Sequence, residues 1–251
     1  MTPNNQPTTT ISSAVRANFS LLWLARHWLR VALFGIAIYT ALPFAAPILM
    51  HNGATGPANV IYTAYKPFCH QFVFRSFFLF GEQTVYPRAN TGTSLGTFED
   101  YARDLPEFAA VDLNAEDEFS VELIRAARSY VGNEQMGYKL TLCERDISIY
   151  LAILVGGLIF AQIRRKLRPV PLWLYAILGL GPIGLDGFSQ LLGYPPFEFW
   201  PPRETQPLFR VITGVLFGLM NAWLVFPYLE GYMRDTRRRI EEKLYRAGYD
   251  V

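Results

Sequence analysis

Two cysteines and a few charged residues set among apolar neighbours carry whatever chemistry this sequence performs. Cys69, His70 and Gln71 stand together, with Arg75 just beyond. Cys143, Glu144, Arg145 and Asp146 form a second group. Asp186 and Gln190 interrupt an apolar run, and Arg203, Glu204 and Arg210 follow it. A thiol is a nucleophile, a metal ligand or half of a disulfide, depending on its neighbours and compartment. No Cys-x-x-Cys spacing is present to lower a thiol pKa. A metal set drawn from Cys69, His70, Cys143 and Glu144 is poor in ligands, so no metal is expected. The expectation is a structural Cys69–Cys143 disulfide, worth ~4 kcal/mol in the chain-entropy model. A redox-active pair and a metal site are the alternatives. His70 reads as a hydrogen-bonding wedge. Asp186 is an ionisable group inside an apolar stretch, which marks either a structural ion pair with Arg203 or Arg210, or a functional site.

The elements that must position these residues follow from the distribution of charge. The chain is 51% hydrophobic, 15% aromatic and only 18% charged, below the ~25% of soluble domains. Val31–Met50, Ile147–Ile163, Leu172–Leu185 and Val211–Leu229 contain no charge at all. A soluble enzyme does not segregate charge in this way, and a disordered chain is not this apolar. A net charge of +2 offers no nucleic-acid footprint. The pattern predicts an all-α integral membrane protein with four transmembrane helices. Residues 1–13 read as a disordered tail, and 14–50 as an interfacial lead-in followed by the first span. Residues 51–146 form an inserted extracytoplasmic helical cap, with helices expected over Thr97–Leu105 and from an Asn114 N-cap to Val131. Residues 147–163, 172–192 and 208–229 are the later spans, and 230–251 a charged cytoplasmic helix. Pro43 and Pro47 are expected to kink or end the first span, and Pro182 to interrupt the third. Gly214 and Gly218 form a GxxxG contact face.

Orientation follows from the basic residues. Three Lys/Arg precede the first span, four lie in the loop Arg164–Pro171 and six follow the fourth span. The 51–146 insert has 8 basic and 13 acidic residues, a balance of 8 − 13 = −5. The positive-inside rule places both termini in the cytoplasm of a multi-pass protein of the bacterial plasma membrane. Nearly every unusual polar residue then gathers near the outer face, while the inner halves of the spans offer no polar path for a transporter.

Several of these residues resemble a known family. They are Cys69-His70-Gln71, Arg75-Ser76-Phe77-Phe78 with Gly81, and Cys143-x-Arg145-Asp146 running into Ile149-Tyr150. Further on come Pro182-Ile183-Gly184-Leu185-Asp186-Gly187, Gln190-Leu191-Leu192-Gly193, and Arg210-x-x-Thr213-Gly214 with Phe217-Gly218. Together they are similar to the predicted bacterial membrane proteins of domain of unknown function 2085 (DUF2085). The likeness spans roughly residues 65–218, with 90–140 resembling an insertion. The family pattern carries Cys-x-Arg-Cys where this chain has Asp146 in the last position, so a three-thiol cluster is not expected. The resemblance implies a membrane protein and no particular activity.

The expected function is therefore an accessory component, or a binder of a small ligand or lipid, in the bilayer. Its pocket would be drawn from His70, Gln71, Arg75, Arg145, Asp146, Asp186, Gln190, Arg203, Glu204 and Arg210. The alternative is a four-helix thiol–quinone oxidoreductase or another membrane enzyme. The lipid bilayer is the expected partner, with room for subunits of a membrane complex. No cofactor is specified by these residues.

Overall fold

The computed structural model describes residues 13–113, 119–164, 166–194 and 196–251. Residues 1–12 of the expected tail and the Asn114 cap fall outside these ranges, while Ser13 already belongs to the first helix. Helix α1 covers Ser13–His51 and α2 covers Thr55–Tyr65. Strand β1 (Ser76–Leu79), α3 (Phe98–Ala102) and α4 (Val121–Ser129) follow. A hairpin of β2 (Gly132–Asn133) and β3 (Gly137–Cys143) leads without a break into α5 (Glu144–Ile163). The next apolar segment comprises α6 (Leu172–Leu174), a π-helical turn (Tyr175–Leu180) and α7 (Gly181–Leu191). The last helix, α8, runs over Pro207–Arg246. The chain is mostly helical, and α1, α5, the Leu172–Leu191 segment and α8 are long and apolar enough to cross a membrane.

Of the two outcomes expected at Pro43 and Pro47, a kink or an end, the structure does not show an end: α1 runs through both. A proline has no N–H for the carbonyl four residues earlier, so Pro43 orphans the Tyr39 carbonyl. The Tyr65 hydroxyl donates to that carbonyl at 2.6 Å. A neighbouring helix thus supplies the bond that the proline removed. The fourth span and the terminal charged helix are likewise one rod, since α8 passes through Pro227. In the third span the helix continues through Pro182, and the irregularity is the π-helical turn just before it.

Close approach holds α5 to α8. A Cβ on Gly218 would lie 2.4 Å from the Ile149 carbonyl oxygen, and one on Gly214 would lie 2.7 Å from that of Arg145. Only hydrogen at these positions lets the two backbones touch, as the GxxxG pattern implied. Trp28, Leu29, Phe160, Ala222 and Phe226 fill the space between α1, α5 and α8. The Leu172–Leu191 segment is peripheral: 6% of its most apolar window is buried, against 28% for α5 and α8.

The insert between α1 and α5 is not purely helical, which corrects the expected all-α cap. Its sheet has the order β1-β3-β2 and is antiparallel throughout. Gly137 has φ +74°, and a Cβ there would meet the Leu79 carbonyl oxygen at 2.2 Å. A glycine is therefore required where the hairpin passes β1. The Asn133 side chain accepts from the Met136 N–H at 2.7 Å and closes the turn. Phe72, Phe74, Phe78, Tyr86, Phe98, Phe108, Tyr130 and Met136 make the insert's own core. The helices are shorter than expected. Thr97 and Asp100 cap α3 reciprocally, and the Ser120 hydroxyl accepts from Leu123 N–H to cap α4. The register matters for the site, because Ser76 opposes Cys143 and so sets the chain after Cys69 beside the start of α5.

Candidate functional site

Three groups of polar side chains meet where the insert joins the spans. The first is a buried chain of alternating charge. Glu204 receives Arg75 at both carboxylate oxygens, with Nε to Oε2 at 3.1 Å. Its Oε2 is shared with Arg210, and the Tyr194 hydroxyl donates to Oε1 at 3.0 Å. Arg210 continues to Glu144 Oε2 at 3.3 Å and to the Phe74 carbonyl at 3.2 Å. Burial opposes ionisation of Glu204, but Arg75 and Arg210 outweigh it and hold its pKa below the usual carboxylate value. The Arg75 guanidinium also lies 5.5–5.7 Å from the ring centres of Phe72, Phe74 and Phe119. Tyr194 was absent from the sequence-based pocket. Tyr194 gave no local signal, since its partner comes from a loop ten residues on.

The second group surrounds Asp186. Its two oxygens pair with Arg145 and, at 3.3 Å, with Arg203. Thr205 donates to Oδ1 at 2.5 Å, and Gln190 hydrogen-bonds Thr205. The sequence offered Arg203 or Arg210 as partners. The structure places Arg203 and Arg145 there, and commits Arg210 to the glutamates. These pairs are only partly buried, and Arg145, Arg203 and Thr205 together satisfy both carboxylate oxygens of Asp186.

The third group holds the thiols. Cys69 and Cys143 are free cysteines, so the expected disulfide is corrected to two separate thiols. The Cys69 sulfur accepts N–H groups from Cys143 at 3.2 Å and Gln71 at 3.5 Å. A hydrogen bond with the Cys143 thiol draws the Cys69 pKa down, and the same bond together with burial pushes Cys143 up. The pair titrates as a unit. Asp146 joins them: its carboxylate oxygen and the two sulfurs all lie within 4.8 Å of one another. The sequence had placed Glu144 with the cysteines, whereas Glu144 turns to Arg210.

Gln71 fixes the turn that carries Cys69. It is buried at φ +57°, and its side chain donates to the Tyr62 carbonyl at 2.9 Å. A non-glycine residue in the left-handed region persists only where its surroundings over-determine it. Lys139 supplies part of that restraint. Its Nζ donates to the carbonyls of Gln71 (2.6 Å), Ala127 (3.1 Å) and Arg128 (3.0 Å). Burial lowers the Lys139 pKa to about 7, while three carbonyls match the three N–H groups of an ammonium. His70 is exposed and stacks on Phe72, outside the ion-pair groups.

A 310 Å³ cavity opens among these groups. Cys69, His70, Gln71, Arg75, Cys143, Arg145, Asp146, Gln190 and Arg210 line it, with Phe68 and Phe72. A 270 Å³ apolar cleft shares Phe68 with it and continues along Gly35, Ile36, Tyr39 and Tyr150 of the spans. Asp186, Arg203 and Glu204 border a separate 560 Å³ cavity instead. An 880 Å³ cavity lies at the other end of the bundle among basic residues.

Residues 128–224 match the family model described as a predicted membrane protein (DUF2085). The matched part contains Cys143, Arg145, Asp146, Asp186, Gln190, Arg203, Glu204 and Arg210, and omits Cys69 to Arg75. An uncharacterized protein of Methanocaldococcus jannaschii is 33% identical over 93 residues, covering 36% of this chain and 54% of the relative. The chain thus spans about half the length of the curated relative it matches. That relative is archaeal, so the likeness reaches beyond bacteria. No solved structure matches this chain.

Proposed function

We propose that this membrane protein is a non-enzymatic binding component that takes the anionic head of an amphiphile at the junction of insert and spans. The carrying observation is Arg145. It lines the polar cavity, yet its buried Nε has no hydrogen-bond partner. An unpaired buried donor is costly, and an acceptor oxygen on a ligand would satisfy it. The apolar cleft sharing Phe68 gives a chain somewhere to lie beside the spans. In this reading the insert is extracytoplasmic and both termini are cytoplasmic, supported by the basic residues around the Arg164 loop and the terminal helix. The membrane is the plasma membrane.

Delipidated protein exposed to phosphatidylglycerol and phosphatidylcholine vesicles tests this. Wild type should retain phosphatidylglycerol preferentially, and Arg145→Gln should weaken that retention about tenfold, the equivalent of one charge-assisted hydrogen bond. Equal retention of both lipids by wild type would overturn the reading. The adjacency of two thiols favours one other reading, a thiol–quinone oxidoreductase; quinone co-purifying with the protein would support that instead.

A further inference from the structure

We infer that Cys69, Cys143 and Asp146 bind a thiophilic divalent cation of the zinc class, leaving one coordination position open to the 310 Å³ cavity. The inference rests on the pocket reading only for access of the ion to the thiols. Cys69 comes from a turn 74 residues before Cys143, Asp146 stands in the first turn of the helix that Cys143 caps, and the two sulfurs and the carboxylate oxygen lie within 4.8 Å of one another. Around a tetrahedral zinc, with bonds of ~2.3 Å to sulfur and ~2.1 Å to oxygen, ligand atoms stand roughly 3.5–4 Å apart. Small side-chain rotations cover the difference. Two sulfur ligands favour zinc over magnesium or calcium, which prefer oxygen.

The surroundings are arranged for negative sulfur. Cys69 Sγ already accepts two backbone N–H groups, from Gln71 and Cys143. Cys143 is the N-cap of α5 and Asp146 lies in its first turn, where the helix dipole favours anions. The Cys69–Gln71 turn is held by the left-handed backbone of Gln71, by the Tyr62 carbonyl and by Lys139 on the Gln71 carbonyl. These contacts orient a ligand without being ligands. The His70 ring is not among the clustered donors, so three protein ligands are supplied. The fourth place belongs to water or to an oxygen of the bound head group, as at zinc sites that keep an open position. Binding is a simple exchange: the ion enters, two thiol protons leave, and no electron moves.

The test is a cobalt(II) titration of the full-length, detergent-purified protein under reductant. The expected result is one cobalt per chain with sulfur-to-cobalt charge-transfer and tetrahedral d–d absorption, displaced by zinc with release of cobalt. Cys143→Ser should abolish the charge-transfer band from that sulfur. Asp146→Asn should weaken binding by more than the ~10–100-fold that loss of an outer partner costs. If these variants fail to fold, wild-type protein decides alone, since zinc should protect both thiols from alkylation. Absence of the band together with unprotected thiols would overturn the proposal, as would recovery of the two cysteines as a disulfide that takes up no cobalt. Arg145→Gln should keep the cobalt spectrum. Lost lipid retention with an intact spectrum, or the reverse, thus separates the failure of one reading from that of the other.

Discussion

Glu204 and Glu241 are both glutamates gripped by two arginines, and they stand at opposite ends of α8. Glu204 lies just before the helix begins, and its side chain is 1% exposed between Arg75 and Arg210. Glu241 lies near the end of the helix, 26% exposed between Arg26 and Arg237. The stretch of α8 from Pro207 to Glu241 separates them, ~50 Å at 1.5 Å per residue. Around Glu241 the neighbouring pairs are also open to solvent, such as Arg164–Glu230, and they border the 880 Å³ cavity. That basic end suits loose contact with anionic lipid. Around Glu204 the partners are Arg75, Arg210 and Tyr194, and the two arginines also line the 310 Å³ cavity with the thiols and aromatic rings. The same residue types thus make a solvated rim at one end and a preorganised site at the other. Burial makes the difference, because water screens the first and is excluded from the second.

Removing one partner should expose that contrast most sharply at the buried end. Glu204→Ala leaves Arg75 and Arg210 facing each other without a counter-charge, and should cost about 3–5 kcal/mol of stability, read by thermal or denaturant unfolding in detergent. The lowered pKa of Glu204 gives the sign of its pH effect. Its contribution is present above the ordinary carboxylate pKa and is lost as pH falls through the lower folded value. Wild type should therefore lose stability in acid more steeply than Glu204→Gln; parallel profiles would show that the network carries no such linkage.

Lys139 gives an intermediate effect. Lys139→Met keeps the volume but strands three carbonyls, a loss of about 1–3 kcal/mol. Burial lowers the lysine from its ordinary 10.5 to about 7. The unfolded chain then binds more protons between those values, so stability rises with pH across that window. The difference between wild type and Lys139→Met should grow with pH from about 7 to 10.5. A flat difference would mean that the three carbonyls hold the ammonium charged throughout.

The smallest effect is expected at the exposed end. Glu241→Ala should change stability by less than ~1 kcal/mol, and the change should fade as salt is added. An effect as large as that of Glu204→Ala would erase the distinction between the two ends.

Much of the architecture was legible because it follows from composition along the chain. Uncharged runs near twenty residues can satisfy their backbone in a bilayer only as helices, so the four apolar segments stood out. Gly214 and Gly218 announced a close contact. The insert was harder to read. β3 is buried on both faces apart from a few positions and contains Lys139, which hides the alternation that marks a strand. Pro43 argued for a kink or an end of the helix, and the Tyr65 hydroxyl satisfies the carbonyl that it frees.

By itself the sequence determined that the chain belongs in a membrane and that its unusual polar residues lie near one end of the spans. Those properties depend on hydropathy and order along the chain. Tertiary structure decided the partnerships: Arg145 rather than Arg210 on Asp186, Glu144 on Arg210, Asp146 beside the thiols, and two free cysteines in place of a bridge. Residues 144 and 146 differ by two positions at a helix start, hence by ~200° around its axis. Only the packing of β1 against β3 and of α5 against α8 settles which of the two faces the sulfurs.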